Sequence, residues 1–220
     1  MVADGDVPPA AALESAWPGW SVGVVDVIAA DGGYARAVGI GLAPTVLVGD
    51  LDSLDGTHVD AAAAAGVTIL RFPAAKDESD TELALVEAVR LGATRITVLG
   101  AFGGARLDHA LANLWLLAHP ALDAVPVVLL DATTRASLVS APGPDGGAVE
   151  RDLAGRVGAT VSLLPFAADV IGVTTLGLRY PLRGEPLAPG PARGLSNVGE
   201  RPDAAVRVER GRLLVVETAS

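Results

Sequence analysis

Five short apolar stretches, residues 22–30, 45–48, 67–72, 95–99 and 125–130, are rich in Val, Ile and Leu and carry little regular polar alternation. A strand with one wet face alternates apolar and polar residues, so such runs suit strands buried on both faces, as in a parallel sheet. Helical patterns lie between them. Ser79-Asp80-Thr81-Glu82 has the form of a capping box, and Leu83, Val86, Val89 and Leu91 then carry an apolar stripe that stops at Gly92. A further helix is expected from Leu107, with Leu107, Leu111, Leu114 and Ala118 on one face and Pro120 beyond its end. The alanine run 61–65 reads as part of a surface helix. Strand and helix alternate, which predicts an open, mostly parallel α/β sheet flanked by helices up to about Asp131.

Beyond that point the texture changes. Segments 136–139, 158–164, 170–175, 205–209 and 212–217 are short and are separated by clusters of Gly, Pro and Asp, of which Pro142 to Gly147 is the strongest loop signal. The last two segments, around Gly211, read as a hairpin. The expectation is an α/β domain over residues 1–134 and an all-β sandwich over residues 135–220.

Charge narrows the partners. Acidic residues outnumber basic ones by 26 to 16, a net of -10, which argues against nucleic acid, because phosphate backbones are bound chiefly by Lys and Arg. A small polyanion held near these carboxylates needs a divalent cation between them, since like charges about 4 Å apart repel by roughly 4 kcal/mol at an effective dielectric near 20. The absence of cysteine excludes disulfides, thiolate metal sites and thiol nucleophiles. The first residues do not read as a signal peptide, and the apolar stretch 110–122 is interrupted by Asn113, His119 and Pro120 and is too short to span a bilayer. The reading is a cytoplasmic protein with no membrane partner.

Four acidic clusters stand at or soon after the ends of apolar runs: Asp31-Gly32-Gly33, Asp50-Leu51-Asp52-Ser53, Lys76-Asp77-Glu78-Ser79-Asp80 and Arg106-Leu107-Asp108-His109. Ligands of open α/β sheets sit at the carboxyl ends of the strands. Asp50 and Asp52 leave such an end, where two carboxylates one residue apart can face the same ion, and hard oxygen donors select Mg2+. An isolated Asp-x-Asp more often only caps a turn. Asp80 follows the next strand and so belongs to the same edge, although Ser79, Asp80 and Glu82 also serve simply as a helix cap. Lys76 and Arg106 are cations near that edge which can meet phosphate oxygens. Residues 100–105 permit close backbone approach before a helix but do not form a Walker loop. His109 and Asn113 share a face of that helix, and a lone His there is more often structural.

Taken in order and spacing, these clusters, with Gly103 to Asn113, resemble the thiamine pyrophosphokinase family. The resemblance continues through Gly177-Leu178-Arg179-Tyr180-Pro181-Leu182, Gly194-Leu195-Ser196-Asn197 and Gly211 to Val216, and so covers nearly the whole chain. It implies a homodimer with active sites between subunits and transfer of a pyrophosphoryl group from ATP to thiamine. It also implies that Asp50, Asp52 and Asp80 hold Mg2+, that Lys76, Ser79, Arg106 and Asp108 contact nucleotide or phosphates, and that Ser196 and Asn197 help to receive thiamine. Asp31 and Asn113 fall at family positions near the site, and Tyr180 is either an aromatic wall or a buried strand residue. The chain departs from the family pattern in its short opening strand, in Leu195, and in Val198-Gly199 after Asn197.

In the mechanism this implies, the hydroxyethyl oxygen of thiamine attacks the β-phosphorus of MgATP in line, and one of Asp77, Asp80 or Asp108 accepts the hydroxyl proton. Two other readings stand beside it. One is a pyrophosphokinase for another alcohol, such as a hydroxymethylpterin, and the other is a nucleotide-binding sensor without turnover.

Overall fold

The computed structural model describes every residue except Ala105, Pro144, Gly155 and Ser220, so parts of the expected 100–105 and 142–147 loops lie outside the described residues. The chain forms two compact units, Met1–Ala132 and Thr133–Ser220.

In the first unit β1 (Ile28–Ala30), β2 (Val46–Gly49) and β3 (Thr68–Arg71) pair in parallel, with β2 in the middle. A second parallel pair is made by β4 (Ile96–Val98) and β5 (Val127–Leu130). Val2 bridges Ala29 on one side and Leu99 on the other, so a single residue stands in for a strand between β1 and the end of β4. The lateral order is therefore β3-β2-β1-Val2-β4-β5. Every residue of β2 is buried, as an apolar run without alternation requires, whereas β3 is an edge strand with Thr68 and Arg71 exposed.

Among the described residues five α-helices accompany these strands: α1 (Ala10–Ala16), α2 (Gly33–Gly39), α3 (Gly56–Ala64), α4 (Asp80–Arg90) and α5 (Leu107–Leu116). Tyr34 of α2 and Ala62 of α3 join Ala29, Leu47 and Leu51 in one core cluster, while α4 packs against β1 and β2. Leu47 is fully buried, and truncating such a residue to Ala costs about 2–5 kcal/mol.

Three local expectations are corrected. Residues 22–25 lie outside any strand, with Val22 71% and Val25 87% exposed; the turn ending at Gly23, at φ +76°, precedes β1. On α4 the buried side is carried by Ala84, Leu85, Glu87 and Ala88, and Val86 and Leu91 face solvent. On α5 the leucine stripe is not the core face: Leu107, Leu111 and Trp115 are exposed, and Asn113 is the buried residue.

The second unit is built from antiparallel strands: β6 (Thr134–Ala141), β7 (Val149–Asp152), β8 (Thr160–Pro165), β9 (Val170–Leu176), β10 (Arg183–Leu187), β11 (Asn197–Val198), β12 (Ala205–Val208) and β13 (Gly211–Thr218). They form two layers, β10-β9-β12-β7 and β11-β8-β13-β6. Side chains from both layers, among them Val139, Leu163, Val173, Val206 and Leu213, make one apolar core, which is the packing of a sandwich. The turn at Gly211 is not a hairpin. β12 pairs with β7 and β9, and β13 with β6 and β8, so the chain crosses from one layer to the other there. The local pattern marks the turn, but partner choice is settled by the core. No helix among the described residues is long and apolar enough to cross a membrane.

Candidate active site

The carboxyl ends of β1 and β2 and the start of α4 bring four aspartates together. Asp31 follows β1 at φ +45°, an uncommon conformation for a residue other than Gly, and is 7% exposed. Its amide donates to Val48 O at 2.8 Å, which ties it to the end of β2. Gly49, at φ +150°, then turns the chain so that Asp50 and Asp52 come to the same place. Carboxylate oxygens of Asp31, Asp50 and Asp52 lie within 4.8 Å of one another. The Asp50 Oδ1 atom accepts from the Asp52 amide at 3.1 Å, and Ser53 Oγ donates to Asp52 Oδ1 at 3.2 Å.

Asp80 is the first residue of α4. Ser79 caps that helix, accepting from Glu82 N at 3.1 Å, which leaves the Asp80 side chain free of capping duty. It pairs with Lys76 Nζ at 3.1 Å, and the same ammonium lies 3.6 Å from Asp50 Oδ2. Lys76 thus lies between Asp50 and Asp80. The trio expected from the sequence, Asp50, Asp52 and Asp80, differs by one member from the trio whose oxygens could share an ion, because Asp31 takes the third place and Asp80 turns to Lys76.

The electrostatics follow from crowding. Burial pushes the Asp31 carboxyl above its ordinary value; a hydrogen bond from Ser53 works against this, and the charges of Asp80, Asp50 and Asp52 add to it. Asp50 is held low, first by the Asp52 amide and then by Lys76. Burial opposes the charge on Lys76, but Asp80 and Asp50 outweigh it and raise its pKa. Asp31 Oδ1 is buried and accepts no hydrogen bond, whereas the buried Asp80 Oδ1 faces the Lys76 ammonium at 3.1 Å. An orphaned, buried carboxylate oxygen costs free energy unless something binds it, and a hard divalent cation fits this all-oxygen donor set.

The remaining sequence candidates are placed differently. Asp77 is exposed in the loop before α4. Arg106 and Asp108 form a two-pronged ion pair on the surface, at 2.9 and 2.6 Å. The guanidinium holds the Asp108 carboxyl down at about 2. Asn113 is buried and spends its amide on Ala101 O at 3.0 Å, fixing the loop after β4 to α5. His109 is exposed.

In the second unit Asn197 is likewise buried and committed. Its Oδ1 accepts from the amides of Tyr180 and Val198, both at 2.9 Å, and its Nδ2 donates to Tyr180 O at 2.7 Å. Ser196 is exposed at φ +56°, with its amide donating to Ser162 Oγ at 3.1 Å, and Tyr180 is exposed rather than buried in a strand.

Two contributors are not evident from sequence reasoning. Ser53, next to the Asp-x-Asp, reaches Asp31 as well as Asp52. Asp6 accepts from Gly104 N at 2.8 Å and holds the loop after β4, while the amide of Gly5 donates to Gly100 O at 2.9 Å. A Cβ on Gly5 would lie 2.4 Å from that carbonyl, so the clustering of Asp4-Gly5-Asp6 was the available signal.

Comparison with known proteins covers both units. Residues 24–129 match the family model described as thiamin pyrophosphokinase, catalytic domain, and residues 149–214 match the thiamin pyrophosphokinase, vitamin B1 binding domain. The chain is 28% identical over 170 residues to a thiamine pyrophosphokinase of Bacillus subtilis, covering 77% of this chain and 76% of that one. The crystal structure of thiamine pyrophosphokinase from Bacillus subtilis superposes with a TM-score of 0.82 at 23% identity, covering 99% of this chain and 96% of the other. A thiamin pyrophosphokinase family protein from Enterococcus faecalis gives 0.76 at 25% identity, with coverage of 99% and 96%.

Proposed function

Because the chain belongs to the thiamin pyrophosphokinase family, with matches in both of its units, we propose that it transfers the pyrophosphoryl group of ATP to thiamine, giving thiamine diphosphate and AMP. The observation that carries the chemistry is the convergence of Asp31, Asp50 and Asp52, with Asp80 and Lys76 beside them, at the carboxyl edge of a parallel sheet.

Asp31, Asp50 and Asp52 are the residues that would hold Mg2+, whose chemistry is to offset charge on the phosphate oxygens of ATP. Lys76 supplies a second, mobile positive charge to the polyphosphate. In the transfer, a bond forms between the hydroxyethyl oxygen of thiamine and the β-phosphorus. The bond from that phosphorus to the oxygen bridging to the α-phosphorus breaks, and AMP leaves. The protein's work is positioning and charge stabilisation rather than covalent chemistry. The hydroxyl proton needs an acceptor. Of Asp77, Asp80 and Asp108, Asp80 belongs to the cluster, whereas Asp108, held at about 2 by Arg106, is a weak base.

Residues of the second unit, which carries the vitamin B1 binding match, receive the acceptor, with Ser196 exposed at the tight turn before β11 and Asn197 shaping the turn from beneath. Matches in both units favour thiamine over a pterin alcohol and give no support to a sensor without turnover. A cytoplasmic homodimer is the setting we infer from the family resemblance, and sedimentation tests the oligomer. Function is tested by incubating the protein with MgATP and thiamine and following AMP and thiamine diphosphate by mass spectrometry. Asp50→Asn and Asp52→Asn are expected to abolish AMP formation at saturating thiamine, and near-normal turnover by either would remove that residue from the site.

A further inference from the structure

The ammonium of Lys76 has three acceptors within reach: Asp80 Oδ1 at 3.1 Å, Pro73 O at 3.3 Å and Asp50 Oδ2 at 3.6 Å. Its side chain is 10% exposed. Asp50 is at the same time one of the three aspartates whose oxygens lie within 4.8 Å of one another. One carboxylate is therefore shared between the ammonium and the place where an ion would sit. Within the same cluster, the buried Asp31 Oδ1 has no hydrogen-bond partner. The cluster is thus unevenly served, with an internal cation on Asp50 and Asp80 and an orphaned oxygen on Asp31.

We propose that Lys76 is the resident counter-ion of this aspartate cluster and that a divalent cation enters in competition with it. The inference rests on the reading of this edge as a metal and polyphosphate site. An ion arriving alone meets a like charge beside Asp50 and gains only part of the carboxylate field. An ion arriving on a polyphosphate brings the anion that draws the ammonium away, and the flexible stem of Lys lets the charge follow. Lys76 thereby couples metal loading to the polyphosphate and disfavours capture of bare ions. It is a positioning residue in this role, since it acts through the charge that Asp50 and Asp80 present.

The test is binding of Mn2+ alone, without nucleotide or thiamine, followed by electron paramagnetic resonance or calorimetry. Lys76→Gln is expected to bind Mn2+ roughly tenfold or more tightly than the wild type, a coupling of ordinary size between neighbouring sites. Lys76→Arg, which restores a cation, is expected to bind as weakly as the wild type. Adding Asp50→Asn to Lys76→Gln is expected to remove the gain. Lys76→Met carries the same expectation as Lys76→Gln should the glutamine variant fail to fold. Unchanged or weaker Mn2+ binding in the neutral variant, or Lys76→Arg matching it, overturns the proposal. No turnover enters this measurement. A wild type that makes no AMP yet shows this pattern sinks the pyrophosphokinase reading alone, and an active enzyme without the pattern sinks only the counter-ion role.

Discussion

Gly49 lies directly against Asp31: a Cβ placed on Gly49 would stand 3.2 Å from the Asp31 Cβ and 3.2 Å from Asp80 Oδ1. The turn that delivers Asp50 and Asp52 therefore strains any residue that carries a side chain. Gly49→Ala is expected to cost about 1–3 kcal/mol from the strained φ of +150° and to spread the aspartates apart. Thermal unfolding reads the first effect and Mg2+ affinity the second. A variant with wild-type values for both would show that the turn tolerates a side chain.

Asp31 destabilises the metal-free protein. Its pKa is raised in the fold, first by burial and then by its acidic neighbours, so the folded state holds the proton more tightly than the unfolded chain. The penalty is absent in acid, grows as pH rises past the unfolded value of about 3.9, and is complete above the folded pKa. Asp31→Asn is therefore expected to raise the unfolding midpoint at neutral pH in the presence of a chelator. Mg2+ is expected to stabilise the wild type more than the variant. A variant less stable than the wild type in chelator would contradict this account.

Glu87 gives the opposite pH dependence, away from the site. Hydrogen bonds from Arg90, at 2.7 and 2.6 Å, hold its carboxyl below the usual range against the effect of burial. The folded state then binds this proton less tightly, so the stabilisation is full above about pH 4.3 and is lost as pH falls through the depressed folded value. Arg90 is 67% exposed, so solvent screens the pair and keeps its contribution small. Denaturant titrations are expected to show the wild type slightly more stable than Glu87→Gln at neutral pH and the two converging in acid.

Asn197 makes three hydrogen bonds to backbone groups of Tyr180 and Val198 from a buried position. Asn197→Ala is expected to cost about 1–3 kcal/mol, the price of leaving those groups unsatisfied. Its effect on catalysis is expected in KM for thiamine rather than in kcat, because Asn197 shapes the turn carrying Ser196. Steady-state kinetics with ATP saturating separates the two, and an unchanged KM would place thiamine elsewhere.

The strands of the first unit were legible because burial on both faces leaves an unmistakable run, as in Val46-Leu47-Val48, and the α4 cap was legible because Ser79 and Glu82 act within one turn. What local pattern did not show was decided by tertiary packing. Ala84 and Ala88 carry the buried side of α4, although a reading weighted toward large side chains selects Val86 and Leu91. The partners of β12 and β13 depend on the two layers of the sandwich, which no turn residue encodes. At the site, strand ends pointed to Asp31, Asp50, Asp52 and Asp80, because a parallel sheet gathers its carboxyl ends along one edge. The pairing of Arg106 with Asp108 and the inward amides of Asn113 and Asn197 were not evident, since residue type does not tell a ligand donor from an internal clasp.

Between β1 and β4 the ladder of the first unit runs through Met1, Val2 and Ala3: the Val2 amide donates to Ile28 O at 2.8 Å, its carbonyl accepts from Ala30 N at 2.9 Å, the Met1 carbonyl accepts from Leu99 N at 3.0 Å, and the Ala3 amide donates to Leu99 O at 2.8 Å. Two groups of strands are thus joined along the short segment 1–3, and Asp31 follows directly on Ala30, the last residue of β1 that this segment holds. An excursion that unfastens this seam would shift Asp31 against Asp50 and Asp52, because Asp31 directly follows the strand that the seam holds.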